Sequence, residues 1–325
     1  MWRIAILLPE GTSLAGLEQA RQGLLAANRY RHERRLPPVF EVLCVAPSPH
    51  VELDDGRVRL RVDATLAELG TVDMALVPPL HEAAIAALHD GMPWRSWLQH
   101  HRQHGGELAS LCVGAALLAA SGLLDGRQAV VHWVAVQAFR QRFPGVHWNS
   151  ELTLLEHDGI LTSGGATSSA HLVLRLIERH AGREVALWCA KLFQLDWSRR
   201  SQLPFAVFSA PDHTDTQVHA VQQYLERHHA QRLSVAGVAA HFALTRRTLE
   251  RRFRQATGDS VLTYLQRARI EAAKLRLETT RDSVAQVMTA VGYLDEKAFR
   301  ESFRKHCGLS PTAYRQRYAG AVLPY

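Results

Sequence analysis

Along the first 190 positions, short unbroken apolar runs alternate with stretches in which apolar residues recur every three or four places. The runs are RIAILLP (3–9), VFEVLCVA (39–46), VDMALVP (72–78), ELASLC (107–112) and AVVHW (129–133). Helical periodicity occupies 17–28, 82–89, 114–121, a segment ending at Phe143, and 167–181. ELTLLEHDGILTSGG (151–165) reads as a hairpin. Strands covered on both faces show no polar alternation. Continuous apolar runs alternating with helices therefore predict a parallel sheet between helical layers.

After position 195 the pattern changes. DWSRRSQLPFAVFSAPDHTDT (196–216) has two prolines and no clear period, so 196–215 reads as a connection ending in a helix cap at Asp215. The helix QVHAVQQYLERHHA follows, then Ser234 as cap, the short helix VAGVAAHF (235–242), the turn ALT and a basic helix over 246–256. On a wheel of 100° per residue, Leu249, Phe253 and Ala256 share the inward side. Arg247, Glu250, Arg251 and Arg254 fall opposite, with Arg246 at the helix start.

The same module is written twice. Between 253–267 and 303–317, seven of fifteen pairs are identical: Phe253/Phe303, Arg254/Arg304, Gly258/Gly308, Ser260/Ser310, Tyr264/Tyr314, Gln266/Gln316 and Arg267/Arg317. Leu249/Phe299 and Ala240/Ala290 extend the match at the same shift of fifty. A gapless shift marks a repeated supersecondary unit. In the second copy Phe299 and Phe303 point inward, and Lys297, Arg300, Glu301 and Arg304 point outward. Its first helix is VAQVMTAV and its turn GYLD. Helix, tight turn and basic second helix make a helix-turn-helix, whose second helix enters the major groove. Between the copies, SVLTYLQRARIEAAKLRLETT contains no Gly or Pro. About eighteen helical residues span ~27 Å, close to the ~34 Å rise of one DNA turn.

Charge sharpens this picture. The chain carries +7 overall, but residues from Thr216 onward hold 18 Lys/Arg against 9 Asp/Glu, and residues 1–215 hold 20 against 22. All the excess positive charge lies on the repeat, as a polyanion-binding module requires. Most of it is Arg, suited to bidentate phosphate and guanine contacts. Cys44, Cys112, Cys189 and Cys307 are scattered, with no C-x-x-C pair. MWRIAILLPEG is too short in its apolar part for a signal peptide. The apolar run 108–124 approaches membrane length, but Gly114 divides it into a strand and a helix. A cytoplasmic protein without membrane contact is the expectation. His100 and His104 stand one helical turn apart, yet no further ligand completes a metal set, and a solvated helix end is expected there. No metal or other cofactor is expected.

Cys112 stands between ELASL and VGAALLAASG, at a strand-to-helix junction where open α/β sheets bind ligands. A helix N-terminus lowers a thiol's pKa, and the small Ser110, Gly114 and Ala115 suit a sharp elbow. His132 and Trp133 follow the next short strand, within range of Cys112.

LCVGAALLAASGLLDGRQAVVHW and GILTSGGATSSAHLVLRLIE resemble the glutamine-amidotransferase-like, PfpI-type domain, in the version fused to GlxA-type transcriptional regulators. The resemblance covers roughly 1–190. It implies an α/β, flavodoxin-like parallel sheet sandwich over 1–195, and an effector site at Cys112, Val113, His132, Trp133, Gly164 and Gly165. Val113 stands where such regulators usually carry Thr, and His171 where Asp is common. Residues 216–319, ending in AVGYLDEKAFRESFRKHCGLSPTAYRQRY, closely resemble the AraC/XylS-type domain, an all-α double helix-turn-helix. That implies bipartite binding to double-stranded promoter DNA, with Arg246, Arg247, Glu250, Arg251, Arg254, Lys297, Arg300, Glu301 and Arg304 on the DNA side. Glu301 departs from its counterpart Arg251. The resemblance further implies homodimerisation through the α/β domain and, for an activator, contact with RNA polymerase.

Three readings of Cys112 and His132 remain open: a buried core cysteine, a ligand pocket without turnover, and a Cys–His nucleophile. The last lacks a clear orienting residue, with Glu18 the one candidate. The expectation is a non-enzymatic regulator, activating transcription in response to a small metabolite. The rival is a Cys-dependent amidase fused to a DNA-binding domain.

Overall fold

In the computed structural model, which describes residues 1–319 apart from 55, 90, 91, 166, 209, 211 and 212, the chain divides into two units, Met1–Gln202 and Leu203–Tyr325. The first unit runs β1 (Trp2–Leu7), α1 (Leu14–Glu33), β2 (Phe40–Ala46), β3 (His50–Leu53), β4 (Val58–Arg61), β5 (Ala64–Thr65) and β6 (Met74–Val77). It continues with α2 (Glu82–Ala87), α3 (Pro93–Gln103), β7 (Glu107–Ser110), α4 (Ala115–Ala120), β8 (Gln128–Val130) and α5 (Val136–Arg142). β9 (His147–Asn149), β10 (Leu154–His157), β11 (Ile160–Ser163), α6 (Thr167–Ala181) and α7 (Arg183–Leu192) complete it.

The main sheet has the order β10-β11-β7-β6-β1-β2-β5. Its neighbours pair in parallel except for the β10–β11 hairpin. The apolar runs explain the two-sided burial. On β1, Ile4 and Ile6 enter a core with Leu17 and Leu24 of α1 and Leu172 of α6. The intervening Ala5 and Leu7 enter another with Leu98 of α3, Leu117 of α4 and Phe139 of α5. Each fully buried Leu or Ile contributes about 1.5–3 kcal/mol, so both faces need apolar residues. This is the sheet between helical layers that the runs predict, flavodoxin-like as the resemblance implies, except that the run AVVHW supplies β8, which pairs with β9 outside the main sheet.

Parts of this unit lie outside the runs and periodic stretches read from the sequence. The hairpin β3–β4 alternates exposed and half-buried positions and lies outside the main sheet. Helix α7 follows α6 after a single residue, Gly182, at φ +89°. The positive φ, easy only for glycine, lets the chain break between the two helices.

The second unit is helical: α8 (Thr216–Arg227), α9 (Val235–His241), α10 (Arg246–Thr257), α11 (Val261–Thr279), α12 (Val284–Ala290), α13 (Glu296–Cys307) and α14 (Pro311–Tyr318). It has two cores. One gathers Val221, Val238, Leu249, Phe253 and Tyr264, the other Leu277, Val287, Phe299, Phe303 and Tyr314. The 19 residues of α11 serve both, Val261 and Leu265 in the first core, Ile270 and Ala273 in the second.

The identities between the copies now have reasons. Gly258 and Gly308 end α10 and α13 in the left-handed conformation, at φ +76° and +70°. Ser260 and Ser310 cap the next helices. Tyr264 donates to Glu226 and Tyr314 to Glu278, each at 2.5 Å. The shift of fifty does not extend upstream as expected. Leu244 donates its backbone N–H to Ala239, and Tyr293 to Met288, so before the second helix the offset is one residue smaller. Ala240 therefore matches Thr289 and not Ala290.

Candidate functional site

The outward face of α10 is built by its inward one. Leu249 and Phe253 are fully buried, which turns Arg246, Arg247, Glu250, Arg251 and Arg254 to solvent. Thr245 caps the helix by accepting from the Thr248 N–H. Arg246 pairs with Glu250 at 3.0 Å, one turn away. Arg252 behaves differently. Its guanidinium donates to both carboxylate oxygens of Asp215, at 3.0 and 2.7 Å, and to Gln217. It ties α10 to the cap of α8, and it is half-buried. In α13, Lys297, Arg300, Glu301 and Arg304 are likewise exposed. Arg300 is held by Glu296 at 2.8 Å. Both faces thus carry cations on one side of a short helix, all Arg in α10 and Arg with Lys297 in α13, the arrangement that neutralises phosphates and reaches base edges.

In the α/β unit, Cys112 is a non-glycine residue with φ +54°, at the sharp turn between β7 and the short 3-10 segment Cys112–Gly114. The turn is tight because Gly114 packs on the end of β6, where a Cβ would lie 2.3 Å from the Pro78 carbonyl oxygen. Val113 is half-buried and packs on the core beneath. β7 and β11 are neighbours with Ser110 opposite Thr162. This puts Cys112 and Gly164–Gly165 at adjacent strand ends, the place where open α/β sheets take ligands. The Ser163 hydroxyl donates to the Gly164 carbonyl at 3.3 Å.

His132 joins this group through Gly165, where a Cβ would lie 1.4 Å from Cδ2 of the imidazole. The ring stacks on Trp133 with centroids 5.3 Å apart. Its Nδ1 accepts from the Val134 N–H at 3.2 Å, so the neutral ring carries its proton on Nε2. Burial, and then the charge of Arg199, lowers its pKa from the ordinary histidine value. Glu18 lies on α1 with its carboxylate taken by Arg21 and Gln22. His171 is buried, with Nδ1 and Nε2 each 2.7 Å from a carbonyl oxygen, of Thr167 and Asp196 respectively.

The sequence reading missed Gln202, which fell within the expected connection. Its side chain is 1% exposed. It donates to the carbonyls of Val131 and Leu152, at 3.1 and 2.8 Å, and accepts from the Gly165 N–H at 3.3 Å. One amide thus holds the two segments that carry His132 and Gly165. Also missed was a cleft of about 180 Å³ lined by Thr153, His171, Arg183, Trp197, Arg199 and Arg200, among others. Thr153 accepts from the Gly164 N–H at 2.9 Å, so one lining residue of the cleft is bonded to Gly164. At the end of α3, His100 and His104 are exposed, as expected of a solvated helix end, whereas His101 is buried on Trp97, with Nε2 3.0 Å from the Glu107 carbonyl. Among the described residues no group of three or more His, Cys, Asp or Glu is placed to hold a metal, and no helix is long and apolar enough to cross a membrane.

A family model for a helix-turn-helix domain matches residues 238–317. The chain is similar to the HTH-type transcriptional regulator CdhR of Pseudomonas aeruginosa, at 31% identity over 98% of this chain and 91% of that protein. It is 23% identical to the HTH-type transcriptional regulator GlxA of Rhizobium meliloti, over 97% of this chain and 96% of the relative. Among solved structures, a ThiJ/PfpI family protein from Pseudomonas syringae covers 70% of this chain and 86% of its own length. Its TM-score is 0.50 and its identity 18%, a likeness of fold.

Proposed function

The chain belongs to the GlxA-type AraC transcriptional regulators, with a PfpI-like α/β domain ahead of a double helix-turn-helix, and from that premise we propose that a small-molecule effector on the α/β domain shifts its DNA-binding equilibrium. The observation that carries the reading is the paired basic faces of α10 and α13 on the single strut α11. Domains 1–195 and 216–319, joined through 196–215, would act together, as a homodimer, to activate transcription by contact with RNA polymerase. The effector is taken up at Cys112, Val113, His132, Trp133, Gly164 and Gly165. It works only through different affinities for the two states of the protein.

The elbow conformation of Cys112 favours a second reading, that of a Cys-dependent amidase. Turnover needs a base within reach of the thiol and a group that orients the base. The Nδ1 of His132 is spent on the Val134 N–H. Its Nε2 is the protonated nitrogen in the neutral ring, and Glu18 is engaged elsewhere. A sensor without turnover fits these bonds better. A genomic binding-site map of the full-length protein, followed by DNA titrations with a metabolite panel, tests the proposal. Binding that no metabolite changes would remove the effector, and absence of site-specific binding would remove the regulator.

A further inference from the structure

The turns of the two helix-turn-helix units differ by one residue. In the first, Ala243 donates its N–H to Ala240, Leu244 donates to Ala239, and Thr245 is the cap of α10. In the second, Gly292 donates to Thr289 and Tyr293 to Met288, but the cap of α13 is Asp295. Ala243 and Gly292 correspond, with φ +53° and +88°. Leu244 and Tyr293 correspond as well, each packed on the core of its unit. Leu294 is the residue left over. With the core position already filled by Tyr293, its side chain is 82% exposed, more than any other large apolar side chain among the described residues. It stands immediately before the cap of α13.

In a helix-turn-helix the N-terminal residues of the second helix contact base edges. At that end the first unit presents Arg247 and Arg251, both exposed. At the same positions the second presents Lys297 and Glu301, and its Arg300 is held by Glu296 as Arg246 is held by Glu250 in the first. Glu301 accepts from a cytosine amine but repels phosphate. The second unit thus offers fewer hydrogen-bond donors and an added isobutyl group. The apolar feature of the major-groove edge is the C5 methyl of thymine. On the reading of this chain as a DNA-binding regulator, we infer that Leu294 packs on a thymine methyl in the second half-site. It makes that base pair a specificity determinant by apolar contact. The two units then read DNA by different chemistry, guanidinium hydrogen bonds in one and methyl burial in the other.

The test uses full-length protein to select duplexes from a random-sequence library. Each thymine of an enriched duplex is then replaced singly by deoxyuridine, which removes the methyl and keeps the pairing face. At one position the wild type should weaken about fourfold, the value of one buried methyl-sized group. Leu294→Ala should bind the thymine and uracil duplexes equally, and match the wild type on the uracil duplex. Leu294→Met should keep the difference. The inference is overturned if enriched duplexes show no thymine–uracil difference anywhere, or if Leu294→Ala remains as methyl-sensitive as the wild type. Failure to enrich any duplex would overturn the DNA-binding reading along with it, which distinguishes the two failures.

Discussion

Gly165 makes room for the imidazole of His132: a Cβ at Gly165 would lie 1.4 Å from the ring's Cδ2. The two residues come from the ends of different strands and are brought together by Gln202, which bonds to both segments. Gly165→Ala must therefore push the ring out of its position. Overpacking of this kind costs about 1–3 kcal/mol. We expect a lower Tm for Gly165→Ala, loss of the effector response, and unchanged DNA affinity without effector. An unaltered effector response in a folded Gly165→Ala protein would detach His132 from the pocket.

Cys112→Ser separates sensor from enzyme. A thiol at a helix start can be a thiolate without turning over substrate. DNA affinity without effector should stay the same and the effector response should weaken. Amide hydrolysis should be at background in both proteins. Hydrolysis by the wild type that disappears in Cys112→Ser would establish the amidase reading.

Arg251 and Arg252 are adjacent in sequence and differ in task. Arg251→Ala should cost about 1–3 kcal/mol of DNA binding and relax preference at one or two base pairs. Arg252→Ala breaks the bonds to Asp215. It should lower stability by about 1 kcal/mol, discounted for partial exposure, without relaxing sequence preference. A panel of single-base-pair variants of a bound duplex distinguishes them. A uniform loss across the panel for Arg251→Ala would make it a phosphate contact.

Binding by the full-length protein should depend steeply on salt. If the two basic faces neutralise ~6 phosphates, log K falls against log[salt] with a slope near −5. Titration at four or five salt concentrations measures it, and a slope near zero contradicts the interface.

His306 gives a pH signature in the second unit. Burial, followed by the charges of Arg267 and Lys305 and opposed by Asp259, pushes its imidazole down to about 4. Its Nε2 is buried without a hydrogen-bond partner. The folded value lies below the ordinary 6.5, so this group's contribution to stability is fully present above 6.5. It is lost as pH falls toward 4. An NMR titration should place its midpoint near 4, and His306→Leu should reduce the destabilisation between those values. A midpoint near 6.5 would contradict the packing at the end of α13.

Much of this protein is legible in periodicity. Unbroken runs such as RIAILL predict strands that serve two cores, because alternate side chains of one strand must both be apolar there. The wheel that turns Leu249 and Phe253 inward also fixes which arginines face out. The repeat accounts for Gly258 and Gly308, since the same helix end needs the same left-handed residue. In each case a residue is judged against its own element, and nearby sequence holds the information.

Tertiary structure decided what depends on distant partners. Nothing near Gln202 marks it as the amide that holds His132 beside Gly165, because those partners lie 37 and 71 positions away. Arg252 already falls outside the outward set on the wheel, but only the approach of Asp215 decides what its guanidinium bonds there. Leu294 looks like one more apolar residue at a helix start. It is left outside because Tyr293 already occupies the place that Leu244 fills in the first unit. Periodicity assigns each side chain to a face of its own element, whereas the space available on that face is set by elements packed from elsewhere in the chain.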